Sequence, residues 1–191
     1  MAVSDVSIAN LALQKLGAAR ITSLTEDSRN ARSINNCYEL VRDRELRAHK
    51  WNFAVKRTTL APDATAPDFD FGYAFTLPSD CLRILPPSRH GLDWKIENHG
   101  GSAAILTNDG DTLEILYISS VEDPTVFDPL FVDAFAAKLA WHICEELTQS
   151  NQKKADAFNE YKMAIREARQ ANAFENISED APEDPWLAVR R

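Results

Sequence analysis

Apolar side chains recur at Ile8, Leu11, Ala12 and Leu16, a spacing that lines one face of a helix. Ser4 or Asp5 can cap its start, and Gly17 stands where a left-handed residue ends helices. The pattern predicts a helix over 5–16, a connector through "AARITSLTED", and a second helix from Asp27 or Ser28 to about Lys50. The seam of that second helix is Ala31, Ile34, Tyr38, Val41 and Ala48, and the rest of its surface is charged. A connector of about ten residues predicts an antiparallel hairpin of the two helices. At "HKWNFAVK" the period changes. Trp51, Phe53 and Val55 alternate with Asn52, Ala54 and Lys56, so helical spacing gives way to strand spacing with no Gly, Pro or Ser between.

Residues 52–120 read as β structure. "NFAVKRTTL", "YAFTL", "CLRIL", "DWKIE", "AAILT" and "TLEILYIS" are short, rich in β-formers and separated by turn signals. "NDGD" at 108–111 predicts a hairpin between the last two, "NHGGS" at 98–102 predicts another turn, and "APDATAPDFDFG" at 61–72 reads as a long polar loop. Helical spacing returns over 128–149, with Asp128 as cap and Pro129 in the first position. Leu130, Phe131, Ala134, Phe135, Ala137, Leu139, Trp141, Ile143 and Leu147 leave that helix little polar face, so it should be buried on most sides. A last helix starts at Ser150 or Asn151 and runs to about Phe174, with Ala157, Tyr161, Ala164, Ala168 and Ala171 as its seam. The remainder, "ENISEDAPEDPWLAVRR", has five acids, two prolines and no periodic seam, yet carries Trp186 and Leu187 near its tip.

These elements predict an α+β fold: a four-helix bundle, interrupted between helices 2 and 3 by a small, mostly antiparallel β-sheet, with an extended C-terminal tail. The boundaries are 1–51 and 124–174 for the bundle, 52–123 for the β insertion and 175–191 for the tail. Within this frame Trp51 and Phe53 form the structural junction, where a large aromatic plugs the corner between bundle and sheet.

Composition narrows the chemistry. The chain has 191 residues, 45% of them hydrophobic, and a formal net charge of −8, a poor basis for gripping nucleic acid. Cys37, Cys81 and Cys144 are too few and scattered for a disulfide framework or a zinc site, and read as free thiols of a reducing compartment. The N-terminus lacks the basic and apolar regions of a signal peptide, and no stretch reaches the ~18 apolar residues of a membrane span. No GxGxxG, P-loop, GxSxG or HExxH occurs. His142 with Glu145 or Glu146 has metal-ligand spacing but lacks matching ligands on a second helix, and reads as a satisfied histidine near the core. Asp80, Asp109 and Asp111 read as turn residues. Catalytic, cofactor-binding and metal residues are therefore all expected to be none. Arg42, Arg44, Arg47, Lys50, Lys56 and Arg57 are interleaved with Asp43 and Glu45, as on a solvated, salt-bridged face or one that meets an acidic partner or a neighbouring copy.

Three stretches resemble a known family. "IANLALQKLGAARITSL", "CYELVRDRELRAHKWNFAVKRTTLA" and "FGYAFTLPSDCLRIL" are similar to the first helix, the second helix with its Trp-Asn-Phe-Ala junction, and the aromatic strand with its Leu-Pro turn in the head-to-tail adaptors of tailed bacteriophages, the tail tubular protein A family of short-tailed phages. "FVDAFAAKLAWHICEELTQS" fits the penultimate helix more loosely, so the resemblance spans most of residues 8–150. It implies a structural virion protein without catalysis or cofactor, assembled in the host cytoplasm. It also implies a twelve-subunit homo-oligomeric ring beneath the portal protein. Such a ring extends the channel through which DNA is ejected and carries the tail tube or nozzle protein, sometimes with tail fibres. DNA would pass an acidic lumen without specific binding, and no membrane is involved. The tail would then reach the portal, with Trp186 and Leu187 as buried anchors and Arg190 and Arg191 as a polar rim. Two alternatives remain from other classes: a small cytosolic enzyme with its site between bundle and sheet, and a connector that grips duplex DNA directly. A long-tailed phage neck or head-completion protein is the nearest variant of the leading reading.

Overall fold

Helix boundaries follow the capping residues. In the computed structural model, which describes residues 3–86 and 92–175, α1 spans Asp5–Leu16. The Ser4 hydroxyl accepts from the Ser7 amide while the Ser7 hydroxyl accepts from the Ser4 amide at 2.8 Å, a reciprocal capping box. Gly17 ends α1 at φ 70°, a backbone that any Cβ would strain. The long predicted second helix is instead two: α2, Arg29–Asn35, and α3, Tyr38–Ala48. The break falls at Asn36–Cys37, two weak helix formers, where the Cys37 amide bonds the Ile34 carbonyl at 3.0 Å and the chain re-enters helix in a new phase. That phase shift corrects the predicted seam. Tyr38, Val41, Arg42, Glu45 and Leu46 face inward, and Ala48 is exposed. Nor do the first helices form a hairpin, because α1 lies against the fourth helix and touches α2 only sparsely.

That helix, α4, spans Pro129–Thr148. The Asp128 carboxylate accepts from the Leu130 and Phe131 amides, and Pro129 fills the first position. Gln149 at φ 51° and Ser150 then turn the chain into α5, Asn151–Phe174, so the two run antiparallel and share the largest helix–helix contact. Both of these spans match the sequence pattern. The remaining helices pack around α4, and Phe131, Phe135, Ala136, Leu139, Ala140 and Cys144 place it at the centre of the core.

The predicted single sheet is two, each of three antiparallel strands. The first orders β1 (Val55–Leu60), β6 (Leu113–Ser119) and β3 (Cys81–Leu85); the second orders β2 (Tyr73–Thr76), β5 (Ser102–Thr107) and β4 (Trp94–His99). Phe75 and Ile105 of the second sheet pack on Ile84, Leu113, Ile115 and Tyr117 of the first, while Ile118, Leu82 and Leu85 turn towards the helices. The first sheet is thus the middle layer. The "NHGGS" turn joins β4 to β5, with Gly100 and Gly101 at φ 59° and 86°. "NDGD" is not a hairpin, because β5 and β6 belong to different sheets. It crosses between them, and Gly110 is small because the Tyr73 ring lies 2.4 Å from where a Cβ would sit. Among the described residues no helix is long and apolar enough to cross a membrane.

Candidate interaction site at the helix–sheet junction

The last four carbonyls of a helix have no partner within it, and one of those of α3 finds an indole. Past Ala48 the backbone of His49 is extended, the chain doubles back, and Trp51 Nε1 donates to the Glu45 carbonyl at 3.0 Å. Trp51 is 1% exposed, with its ring edge-on to Phe131 at 4.9 Å and to His49 at 4.7 Å. The expected strand does not begin here. Residues Asn52–Ala54 form a single 3-10 turn and β1 starts at Val55, because the turn lets Phe53 join Trp51, Phe127 and Phe131 on one side.

The end of α5 clamps the same corner. Asn172 Oδ1 accepts from the Asn52 amide at 2.9 Å, and Asn172 Nδ2 donates to the Lys50 carbonyl at 2.9 Å, with His49 Nε2 at 3.3 Å. The Asn52 amide group returns the contact to the Asn172 carbonyl and to Glu175 Oε2. Burial lowers the His49 pKa, with Arg169 and Arg83 lowering it further, so the ring stays neutral and can accept at Nε2.

Behind Trp51 lies a buried ion pair. Lys138 of α4 stands 3.3 Å from Glu45 of α3, both at least nine-tenths buried. The Tyr161 hydroxyl of α5 donates to Glu45 Oε2 at 2.9 Å, and Lys138 Nζ sits over the Tyr161 and Trp141 rings at 4.2 and 4.6 Å. Burial, and then the Glu45 charge, push the Tyr161 hydroxyl well above its ordinary range, so it stays a donor. Further along α3, Arg42 Nε donates to Asp43, and the Ser120 hydroxyl accepts from Arg42 while donating to Asp43 at 2.8 Å, tying α3 to the end of β6.

The structure redistributes the residues singled out from sequence. The six basic residues do not form one salt-bridged face. Arg42 is buried against Asp43 and Lys56 pairs with Asp80 at 2.7 Å, but among the described residues Arg44, Arg47, Lys50 and Arg57 make no ion pair. Asp80 is more than a turn residue. Burial raises its pKa, but bonds from Lys56 and the Tyr117 hydroxyl outweigh that and hold it low, knitting β1, β3 and β6. The Asp109 carboxylate accepts from the Asp111 amide at 3.1 Å within its turn. His142 is exposed and not near the core, while Glu145 pairs with Lys154 and Glu146 accepts from the Ser33 hydroxyl. Trp186, Leu187, Arg190 and Arg191 lie outside the described residues. A surface depression of about 300 Å³ is lined by Arg57, Thr59, Glu114 and Leu116, and another of about 320 Å³ lies against the 67–71 loop. In the second, Lys95 pairs with Glu97 and His99 meets the Thr65 carbonyl. Sequence reasoning missed Lys138, Asn172 and the pairing role of Glu45. A lone cation inside the apolar "AFAAKLAW" was the available signal for the first.

Neither family models nor curated proteins give a match to this chain.

Two predictions follow from the junction. Replacing Trp51 with Ala should cost about 3–5 kcal/mol in chemical denaturation, and Trp51→Phe about 1 kcal/mol for the unsatisfied Glu45 carbonyl plus its smaller packing loss. Equal stability of Trp51→Phe and wild type would contradict the indole bond. The second concerns pH. His49 in the folded state has a pKa below its ordinary 6.5, so the unfolded chain binds more protons as pH falls. The stability this contributes is complete above about pH 6.5 and is lost as pH falls towards the folded value. Denaturation midpoints compared at about pH 7.5 and pH 5.5 should fall less in His49→Gln than in wild type; parallel losses would contradict it.

Proposed function

We propose that the chain is a structural head-to-tail connector, a ring-forming adaptor beneath the portal protein of a tailed phage, as its resemblance to the tail tubular protein A family implies. In this reading the helices act as a bundle interrupted by the β layers, and residues 175–191 as an extended tail. The observation that carries the proposal is the exposure of large apolar side chains on two different helices: Leu40 of α3 is 70% exposed, and Met163 and Phe174 of α5 are 69% and 81% exposed. Scattered single apolar residues are ordinary on a surface. Here they lie on α3 and α5, two separate helices, as the unlike, mutually complementary patches of a closed ring would.

Two further features support it. The junction joins helices and sheets at one angle through a buried aromatic cluster, which suits a part that must meet one partner above and another beside it. The net charge of −8 per copy suits a lumen that repels phosphate. Trp186 and Leu187, with Arg190 and Arg191, are the proposed portal contacts.

Mass photometry and negative-stain microscopy of the protein, with and without the portal from the same genome, test this. Rings of about twelve copies, or portal particles gaining that mass, are expected. A monomer that leaves the portal unchanged would contradict the proposal. Portal binding should weaken strongly on deletion of residues 176–191, and full retention would remove the tail from the contact.

A further inference from the structure

Two exposed apolar side chains of this molecule are flanked by opposite charges. Leu40 of α3 is 70% exposed, and Arg44 and Arg47 follow it at helical spacing, which puts all three on one stripe of the helix. Phe69 is 77% exposed and stands between Asp68 and Asp70, both exposed. Among the described residues neither arginine and neither aspartate makes an ion pair. Arg47 gives one donor to the Leu82 carbonyl and keeps the rest of its fork. Neighbouring countercharges are taken: Asp43 by Arg42, and Lys95, which feels Asp70, by Glu97.

The loop that bears Phe69 is held firmly. The Phe71 amide bonds the Phe69 carbonyl at 2.8 Å, and the Gly72 amide bonds Asn108 Oδ1 at 2.8 Å. The Phe71 ring packs on Ala74, Ala104 and Leu106, the outer face of the second sheet. Phe69 is thus displayed outward from an anchored turn, and a preorganised aromatic loses little freedom on docking. Its complement is not within reach in the same copy. The α3 helix packs on the first sheet, the second sheet covers the far face of the first, and the loop covers the second, at ~10 Å per layer. A second copy brings the two together. Carboxylates two residues apart and guanidinium groups one helical turn apart have similar spacings of ~5–7 Å. Met163, by contrast, stands among Lys162, Arg166 and Glu167, a mixed set with no single sign.

We infer that the loop bearing Asp68, Phe69 and Asp70 of one copy docks on the Leu40, Arg44 and Arg47 stripe of the next. The two patches differ, so the contact is heterologous, and each copy keeps one patch of each kind for a further copy. This rests on the connector reading for closure into a ring and names the pair of faces that build it, with Met163 and Phe174 outside the contact.

Disulfide trapping and mass photometry of the full-length protein, alone and on the portal, test the inference. Oxidised L40C/F69C should give a ladder of reducible multimers, and a mixture of L40C and F69C should stop at dimers. The wild type, with its three free cysteines, is the blank. D68K/D70K, which alters only the loop surface, and R44E/R47E should each raise the midpoint concentration for assembly ~100-fold or more. Mixing these two variants, or joining them in one chain, should restore assembly, which a folding defect in either would prevent. Wild-type rings without a ladder in L40C/F69C would overturn the inference and leave the connector reading standing. A wild type that forms neither rings nor a portal complex, with no ladder, would overturn both. Dimers alone in L40C/F69C would mean a two-fold contact and overturn it. So would assembly lost in R44E/R47E but kept in D68K/D70K, which would give the stripe to a different acidic partner.

Discussion

One hydrogen bond, made inside an aromatic cluster, sets the shape of this molecule. The Trp51 indole satisfies a carbonyl that the end of α3 would otherwise leave bare, and its ring is sealed by Phe131, His49 and Phe53. Helix termination, the reversal of the chain and the start of β1 are therefore one event. Because Phe131 belongs to α4 and Ile118 of β6 shares the same core, the ring also fixes the first sheet relative to the helices. The second sheet, packed on the far face of the first, inherits that placement.

Glu45 couples this corner to the electrostatics of the interior. Its backbone carbonyl holds Trp51, and its carboxylate holds Lys138 and the Tyr161 hydroxyl. A buried pair of this kind adds little net stability over well-packed apolar residues, but loss of one member strands the other. Its value lies in register. Three helices must bring Glu45, Lys138 and Tyr161 together, and a slip along any of them leaves a buried charge unpaired. Asn172 does the same from α5 with backbone groups on both sides of Trp51.

The parts of the fold that local chemistry controls were legible in the sequence. Ser4, Gly17, Asp128 with Pro129, and Ser150 mark helix ends because each satisfies backbone groups within a few residues of itself. Long-range choices were not. Period-two alternation says which face a strand buries but not which strand it joins, so two sheets read as one and "NDGD" read as a hairpin. Trp51, Phe53 and Val55 alternate whether residues 52–54 are extended or form a 3-10 turn, and only the position of Phe127 and Phe131 decides. At the junction itself Trp51 stood out by size, whereas Asn172 lies 120 residues from its partner Asn52 and carries no local mark.

The central claim is that helices and sheets form one rigid body through Trp51. Residual dipolar couplings measure this directly. A single alignment tensor should fit the amides of α4, β6 and β5 together in the wild type, and Trp51→Ala should require separate tensors for helices and strands. Separate tensors in the wild type, or one shared tensor in both proteins, would contradict the account.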